Sequence, residues 1–282
     1  MPLVQSYEVG LHCEVYGNGE PVIFIPGFGN GLWIWFKQIP YFAERFRTIV
    51  FDPRGISGSE KPEGTVTVAQ LAKDVEGLLG ALKLESAHIV GASFGGFVAQ
   101  EFALAYPEQV RSLTLSCTSF GGLNHVMPSP ETLQAMASTK GLNTEDRARQ
   151  NLLLAFSPDY LRNKRSEVEQ IIALRAANPV PEYAYLQQLQ AAISFSTEER
   201  LASITAPTLI ITGDTDVIVP SVNSTNLASK IPHAKLRFVS GGSHTYFIEQ
   251  ADEFNKIVSG FISDHSASIP LELGSALTEQ EV

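Results

Sequence analysis

Three short stretches of this chain carry side chains suited to nucleophilic chemistry. Gly91-Ala92-Ser93-Phe94-Gly95 reads G-x-S-x-G and stands where the apolar Ile89-Val90 meets a helix-forming stretch. A serine on so tight a strand-to-helix turn is held out for attack, and flanking glycines let the backbone close up around it. A serine hydroxyl is nearly inert at neutral pH, so it needs a base, and the base needs an orienting partner. His244 follows the strand-like Leu236-Arg237-Phe238-Val239 and the turn Ser240-Gly241-Gly242-Ser243, which puts it on a loop at the sheet edge that bears Ser93. The other histidines are placed less well. His88 reads as strand, His12 as hairpin, His125 as the start of a helical interval, and His233 and His265 as exposed. Gly213-Asp214-Thr215-Asp216 follows an apolar run at 208–212 and brings two carboxylates to the same edge, of which only one can hold the imidazole. The chemistry of such a set is acyl transfer. Ser93 attacks a carbonyl, His244 takes the proton and returns it to the leaving group, and water cleaves the acyl-enzyme.

These loops must hang on a regular scaffold. Residues 7–16 read as extended and Gly17-Asn18-Gly19 as a turn, which predicts an N-terminal hairpin. Short continuous apolar runs at 21–25, 48–51, 87–90, 113–116 and 208–211 have the pattern of strands buried on both faces. Between them lie amphipathic helices. Val68, Leu71, Ala72, Val75, Leu78, Leu79 and Leu82 recur at helical spacing, with Thr67 and Gln70 fitting a capping box, and Phe254, Ile257, Val258, Phe261 and Ile262 form a second stripe. Strands alternating with helices predict right-handed βαβ units and a mainly parallel sheet flanked by helices. From 122 to 195 the alternation stops, and helical stretches at 147–156, 167–177 and 183–193 predict a helical cap inserted between two strands. The expected organisation is a core in two parts, 1–121 and 196–264, a cap at 122–195, and a mobile tail at 265–282.

At the segment around Asp216 the sequence resembles the α/β-hydrolase superfamily, and the resemblance runs over nearly the whole chain outside the cap. It is similar to capped carboxylesterases, enol-lactonases and cofactor-free haloperoxidases. The family's G-x-x-D followed by a proline selects Asp216, with Pro220, as the triad acid and leaves Asp214 to cap its loop. Its order of Ser, Asp and His matches Ser93, Asp216 and His244, and its H-x-x-x-x-E matches His244 and Glu249, with Glu249 structural. The resemblance also implies an oxyanion hole from the N–H of Phe94, after the nucleophile, and of Phe28 in Pro26-Gly27-Phe28-Gly29. There the family often has H-G-x-G, so Pro26 replaces the histidine that usually supports the loop. Asp52-Pro53-Arg54-Gly55-Ile56-Ser57-Gly58-Ser59 resembles the family's D-x-R-G-x-G-x-S turn, with Ser57 in place of a glycine that asks for a different backbone.

Bulk properties narrow the partners. The net charge of -10, with no basic cluster, opposes nucleic acid and anionic membrane surfaces, and no stretch approaches the roughly 20 apolar residues of a spanning helix. With no signal-peptide pattern at the N-terminus, a cytoplasmic location is the expectation. Cys13 and Cys117 lie in apolar runs and the histidines lack ligand spacing, so no metal or other cofactor is implied. The expected partner is a small ester or lactone. Trp33, Met127, Phe156 and Tyr183 are candidates for its pocket, and nothing in the sequence marks the oligomeric state. Carbon–carbon bond hydrolysis or perhydrolysis on the same triad, or a small-molecule receptor with slow turnover, are the alternatives. The acidic balance disfavours anionic substrates unless Arg162, Lys164 or Arg175 of the cap faces inward.

Overall fold

The short apolar runs become strands because helices cover both of their faces. In the computed structural model, which describes residues 3–138 and 141–266, β1 (Val4–Ser6) and β2 (Val9–Leu11) form an antiparallel ribbon. A seven-stranded sheet follows, built from β3 (Cys13–Tyr16), β4 (Pro21–Ile25), β5 (Arg47–Phe51), β6 (Ala87–Ala92), β7 (Val110–Ser116), β8 (Thr208–Gly213) and β9 (Lys235–Val239). Its order is β3-β5-β4-β6-β7-β8-β9, parallel throughout except for β3 against β5. Every residue of β4, β6 and β8 is buried, as strands sandwiched between helix layers require. From β4 the chain winds outward to β5, then crosses to β6 on the other side. The crevice at the carboxyl ends of β4 and β6 is the switch point where such sheets hold ligands.

The helices follow their stripes. Helix Val68–Ala81 starts at Thr67, whose hydroxyl accepts from the Gln70 N–H, and buries Leu71, Val75, Leu78 and Leu79. The capping box is only half made, since the Gln70 amide turns to Asp74 at 3.4 Å. Helix Ala251–Ser263 buries Phe254, Val258, Phe261 and Ile262. No helix among the described residues is long and apolar enough to cross a membrane.

The N-terminal hairpin differs from expectation. The hairpin is β1–β2, and β3 pairs with β5 instead of β4, because β4 is already flanked by β5 and β6. The turn after β3 packs tightly on the main chain, where a Cβ at Gly17 would lie 2.2 Å from the Ala43 carbonyl oxygen. Between β7 and β8 the chain makes a helical excursion of five helices among the described residues: Pro130–Ala137, Thr144–Ala155, Pro158–Asn163, Arg165–Ala177 and Glu182–Ser194. The first and third were not anticipated, although each opens on Ser-Pro, with the serine hydroxyl accepting an N–H three residues on and proline in the first turn. The ends of the excursion meet in a bridge between Gly121 and Ser196. Of the segment expected as a mobile tail, residues 267–282 lie outside the described residues.

The turn after β5 is braced by Asp52, whose carboxylate accepts from the Leu32 N–H at 2.8 Å and the Gly58 N–H at 3.0 Å and meets His12 Nδ1 at 2.8 Å. Within it Ser57 adopts the left-handed φ of 42°, and its buried hydroxyl has no hydrogen-bond partner among the described residues. Both features cost free energy that glycine avoids, against a smaller entropic cost in the unfolded chain. Ser57→Gly is expected to stabilise the protein by about 1 kcal/mol and to raise Tm by about 2–4 °C. Thermal unfolding measures this, and a lowered Tm would show that the hydroxyl is needed.

Candidate active site

Strand β6 ends in a turn that only glycine permits. A Cβ at Gly91 would lie 2.4 Å from the Gly95 carbonyl oxygen, and one at Gly95 would lie 2.2 Å from that of Ile25. Between them Ser93 sits at φ 54°, ψ -120°, a strained conformation for a residue with a side chain, and helix Phe94–Ala105 begins at once. The end of β7 and the residues after it hold the strained residue from both sides. The Ser93 N–H donates to the Ser116 carbonyl at 2.8 Å, and the Thr118 hydroxyl donates to the Ser93 carbonyl at 2.8 Å.

The two carboxylates after β8 stand in different surroundings. Asp216 is buried, its Oδ2 2.7 Å from His244 Nδ1, while its Oδ1 accepts from the N–H groups of Ile218 at 2.8 Å and Val219 at 2.9 Å. Asp214 is exposed and accepts from the Gly241 N–H at 2.7 Å, closing its loop on the turn before His244. The two loops pack backbone to backbone, since a Cβ at Gly213 would lie 2.1 Å from the Gly242 carbonyl oxygen. His244 Nε2 in turn stands 3.1 Å from Ser93 Oγ. Asp216, His244 and Ser93 therefore form one hydrogen-bonded run. Beneath it, burial and the nearby Asp216 push the Cys117 thiol well up, so it stays neutral.

The histidine loop is anchored by Glu249 of the H-x-x-x-x-E motif and by groups outside any motif. The Tyr246 hydroxyl is buried between Ser116 Oγ at 2.7 Å and the Ile211 carbonyl at 3.1 Å. The Ala155 carbonyl, at the end of a helix of the excursion, accepts from Ser243 Oγ at 2.7 Å, the Thr245 N–H at 3.0 Å and Thr245 Oγ1 at 2.7 Å. Glu249 accepts from the Ser157 N–H at 2.7 Å and its hydroxyl at 2.6 Å, and also from the Ser243 hydroxyl.

Beside Ser93 lies the turn after β4. A Cβ at Gly27 would be 3.3 Å from Ser93 Cβ, and the Asn30 N–H closes the turn on the Gly27 carbonyl at 3.1 Å with Gly29 at φ 65°. The N–H groups of Phe28 and Phe94 donate to no acceptor among the described residues, and their rings meet edge-on at 6.0 Å. Of the pocket candidates, Trp33 and Phe156 are buried in an apolar cluster with Trp35, Leu152 and Tyr160, Phe156 stacking on Tyr160 at 5.1 Å. Met127 is exposed, and Tyr183 is exposed with its hydroxyl donating to the Lys61 carbonyl at 3.0 Å. The rings that gather by the turn are Tyr185, 4.8 Å from Phe28, and Phe97 and Phe195, stacked at 4.4 Å next to Phe94. Of the three basic residues, Arg162 pairs outward with Asp159, Lys164 is exposed, and Arg175 turns inward to Asn30 Oδ1 at 3.3 Å.

Known proteins resemble the chain over nearly its whole length. It is 30% identical over 94% of its length to a protein of Azorhizobium caulinodans named "Putative carbamate hydrolase RutD", 99% of which is covered. It is 28% identical over 86% of its length to a poly(3-hydroxyalkanoate) depolymerase of Ectopseudomonas oleovorans, covering 84% of that protein. The solved structure of the enol-lactonase from Burkholderia xenovorans superposes with a TM-score of 0.83 at 25% identity, over 93% of this chain and 100% of that one. The family model described as alpha/beta hydrolase fold matches residues 20–251, from just before β4 to just past the histidine loop. With that match and the parallel sheet beneath it, this chain belongs to the alpha/beta hydrolase fold family, and it is a hydrolase by that kinship.

Proposed function

We propose that the protein is a serine hydrolase of carboxylic esters or lactones that works through an acyl-enzyme on Ser93. The observation that carries this reading is the unbroken hydrogen-bonded run from Asp216 through His244 to Ser93. Ser93 Oγ attacks the carbonyl carbon as its proton passes to His244 Nε2, and Asp216 holds the other ring nitrogen protonated. The oxyanion forms against the N–H groups of Phe28 and Phe94, each worth ~3 kcal/mol in such a role. Collapse expels the alcohol, which takes the proton from His244. A water molecule, deprotonated by the same nitrogen, then releases the acid and restores Ser93. With a lactone the alcohol remains tethered to the acyl chain.

The helical excursion at 122–195 acts in this reading as a cap over the edge of the sheet, and its aromatic side chains favour a small or medium apolar acyl group. Each buried methylene contributes up to ~0.8 kcal/mol until the pocket is full. For aryl esters from acetate to palmitate, kcat/KM is expected to rise and then fall well short of palmitate, with mass spectrometry finding the acyl group on Ser93. Arg175 is engaged by Asn30, so an uncharged ester is expected to outrun its carboxylate-bearing counterpart. A preference for the anionic ester would assign Arg175 to the substrate. Absence of acylation by every ester and lactone would overturn the reading itself.

A further inference from the structure

Pro26 occupies the position from which a histidine commonly supports the oxyanion turn, and the structure shows other groups holding that turn. Helix Glu182–Ser194 buries one face made of Ala184, Gln188 and Ala191. The alanines let the helix approach closely, to the point that a Cβ at Gly55 would touch Ala184 at 3.1 Å. A glutamine in such a stripe must satisfy its amide inside the protein. Gln188 Oε1 accepts the Gly29 N–H at 2.9 Å, and Gln188 is 3% exposed. One turn earlier on the same helix, the Tyr185 ring meets the Phe28 ring edge-on at 4.8 Å. The peptide joining Phe28 to Gly29 is gripped at its other end too, because the Asn30 side-chain amide donates to the Phe28 carbonyl at 3.2 Å.

We propose that Gln188 is a positioning residue: by fixing the Gly29 N–H it sets the plane of the Phe28–Gly29 peptide and thereby the direction of the preceding Phe28 N–H. The inference rests on the reading of Phe28 as an oxyanion donor. Gln188 acts through the turn, so that the oxyanion site is complete only while the cap helix is docked. Its loss misdirects a donor that matters in the transition state and leaves ground-state binding nearly intact.

The experiment pairs kinetics with amide hydrogen exchange at Gly29 in the full-length protein. Gln188→Leu removes the acceptor at similar volume, Gln188→Asn withdraws it by one methylene and keeps the site polar should the leucine variant fail to fold, and Gln188→Glu keeps an acceptor oxygen. In the first two, Gly29 exchange is expected to quicken about fivefold or more. The turnover number should fall about 10- to 100-fold with KM within about twofold. Gln188→Glu should recover most of both. A merely structural role would change stability and KM without this split. Unchanged Gly29 exchange overturns the positioning role, and so does quickened exchange with unchanged kcat. Wild-type protein that turns over no ester or lactone, with Gly29 still loosened in the variants, would overturn the ester and lactone reading alone.

Discussion

Ser93→Ala is expected to lower the turnover of any ester or lactone substrate at least ~1,000-fold while leaving the fold in place. The hydroxyl stands 3.1 Å from His244 Nε2, and in the reading proposed above its removal leaves the imidazole with no nucleophile to activate. The fold should survive because the strained backbone at residue 93 is held by main-chain and Thr118 contacts rather than by the hydroxyl. Alanine tolerates that backbone as serine does. Circular dichroism establishes folding, and steady-state hydrolysis gives the rate. Wild-type turnover from a folded Ser93→Ala protein would end the nucleophile assignment.

Asp216→Asn is expected to cost about 10⁴-fold in kcat, whereas Asp214→Asn should keep most of the activity. The local hydrogen bonds decide how the new amide orients. Oδ1 of Asp216 accepts two backbone N–H groups, from Ile218 and Val219, and an amide oxygen must take that place. The NH2 group then faces His244 Nδ1 and forces that nitrogen to accept. The proton moves to Nε2, and the imidazole can no longer take one from Ser93. At position 214 an asparagine oxygen still accepts from the Gly241 N–H, so the loop closes as before. Kinetics of the two folded variants tests the assignment, and the opposite ranking would move the role to Asp214.

Much of this site is written in local sequence because its demands are local. Gly91 and Gly95 answer to contacts under 2.5 Å that no other residue could make, so the elbow around Ser93 shows as a motif. Asp216 follows a buried apolar strand and His244 a mostly exposed one, each with a turn after it, and strand position places them at one edge. Other features arise from contacts distant in sequence. Gln188 reaches across 159 positions to Gly29, and a single glutamine on a helix gives no sign of which loop it will meet. The Ala155 carbonyl is invisible in any sequence, since every residue has one. The pairing of β3 with β5 was missed for a related reason: a turn of Gly-Asn-Gly signals reversal but not which strand will lie alongside. The short helices at Pro130 and Pro158 did announce themselves through Ser-Pro, a start signal that periodicity alone passes over in segments of about two turns.

The saturated carbonyl of Ala155 bears on how such enzymes can be recombined. It receives three donors from the residues that bracket His244, and Ser157, two positions on, is clasped by Glu249. If the helical excursion is a cap, as proposed above, one transplanted from a relative would bring more than new side chains over the sheet edge. It brings or omits the helix end that keeps the imidazole in register with Ser93. Grafts that stop a helix at this place, with a serine two residues later, inherit a histidine loop already in position. Those that stop it elsewhere would leave the donors of Ser243 and Thr245 without this acceptor, so the helical excursion and the histidine loop are coupled through Ala155.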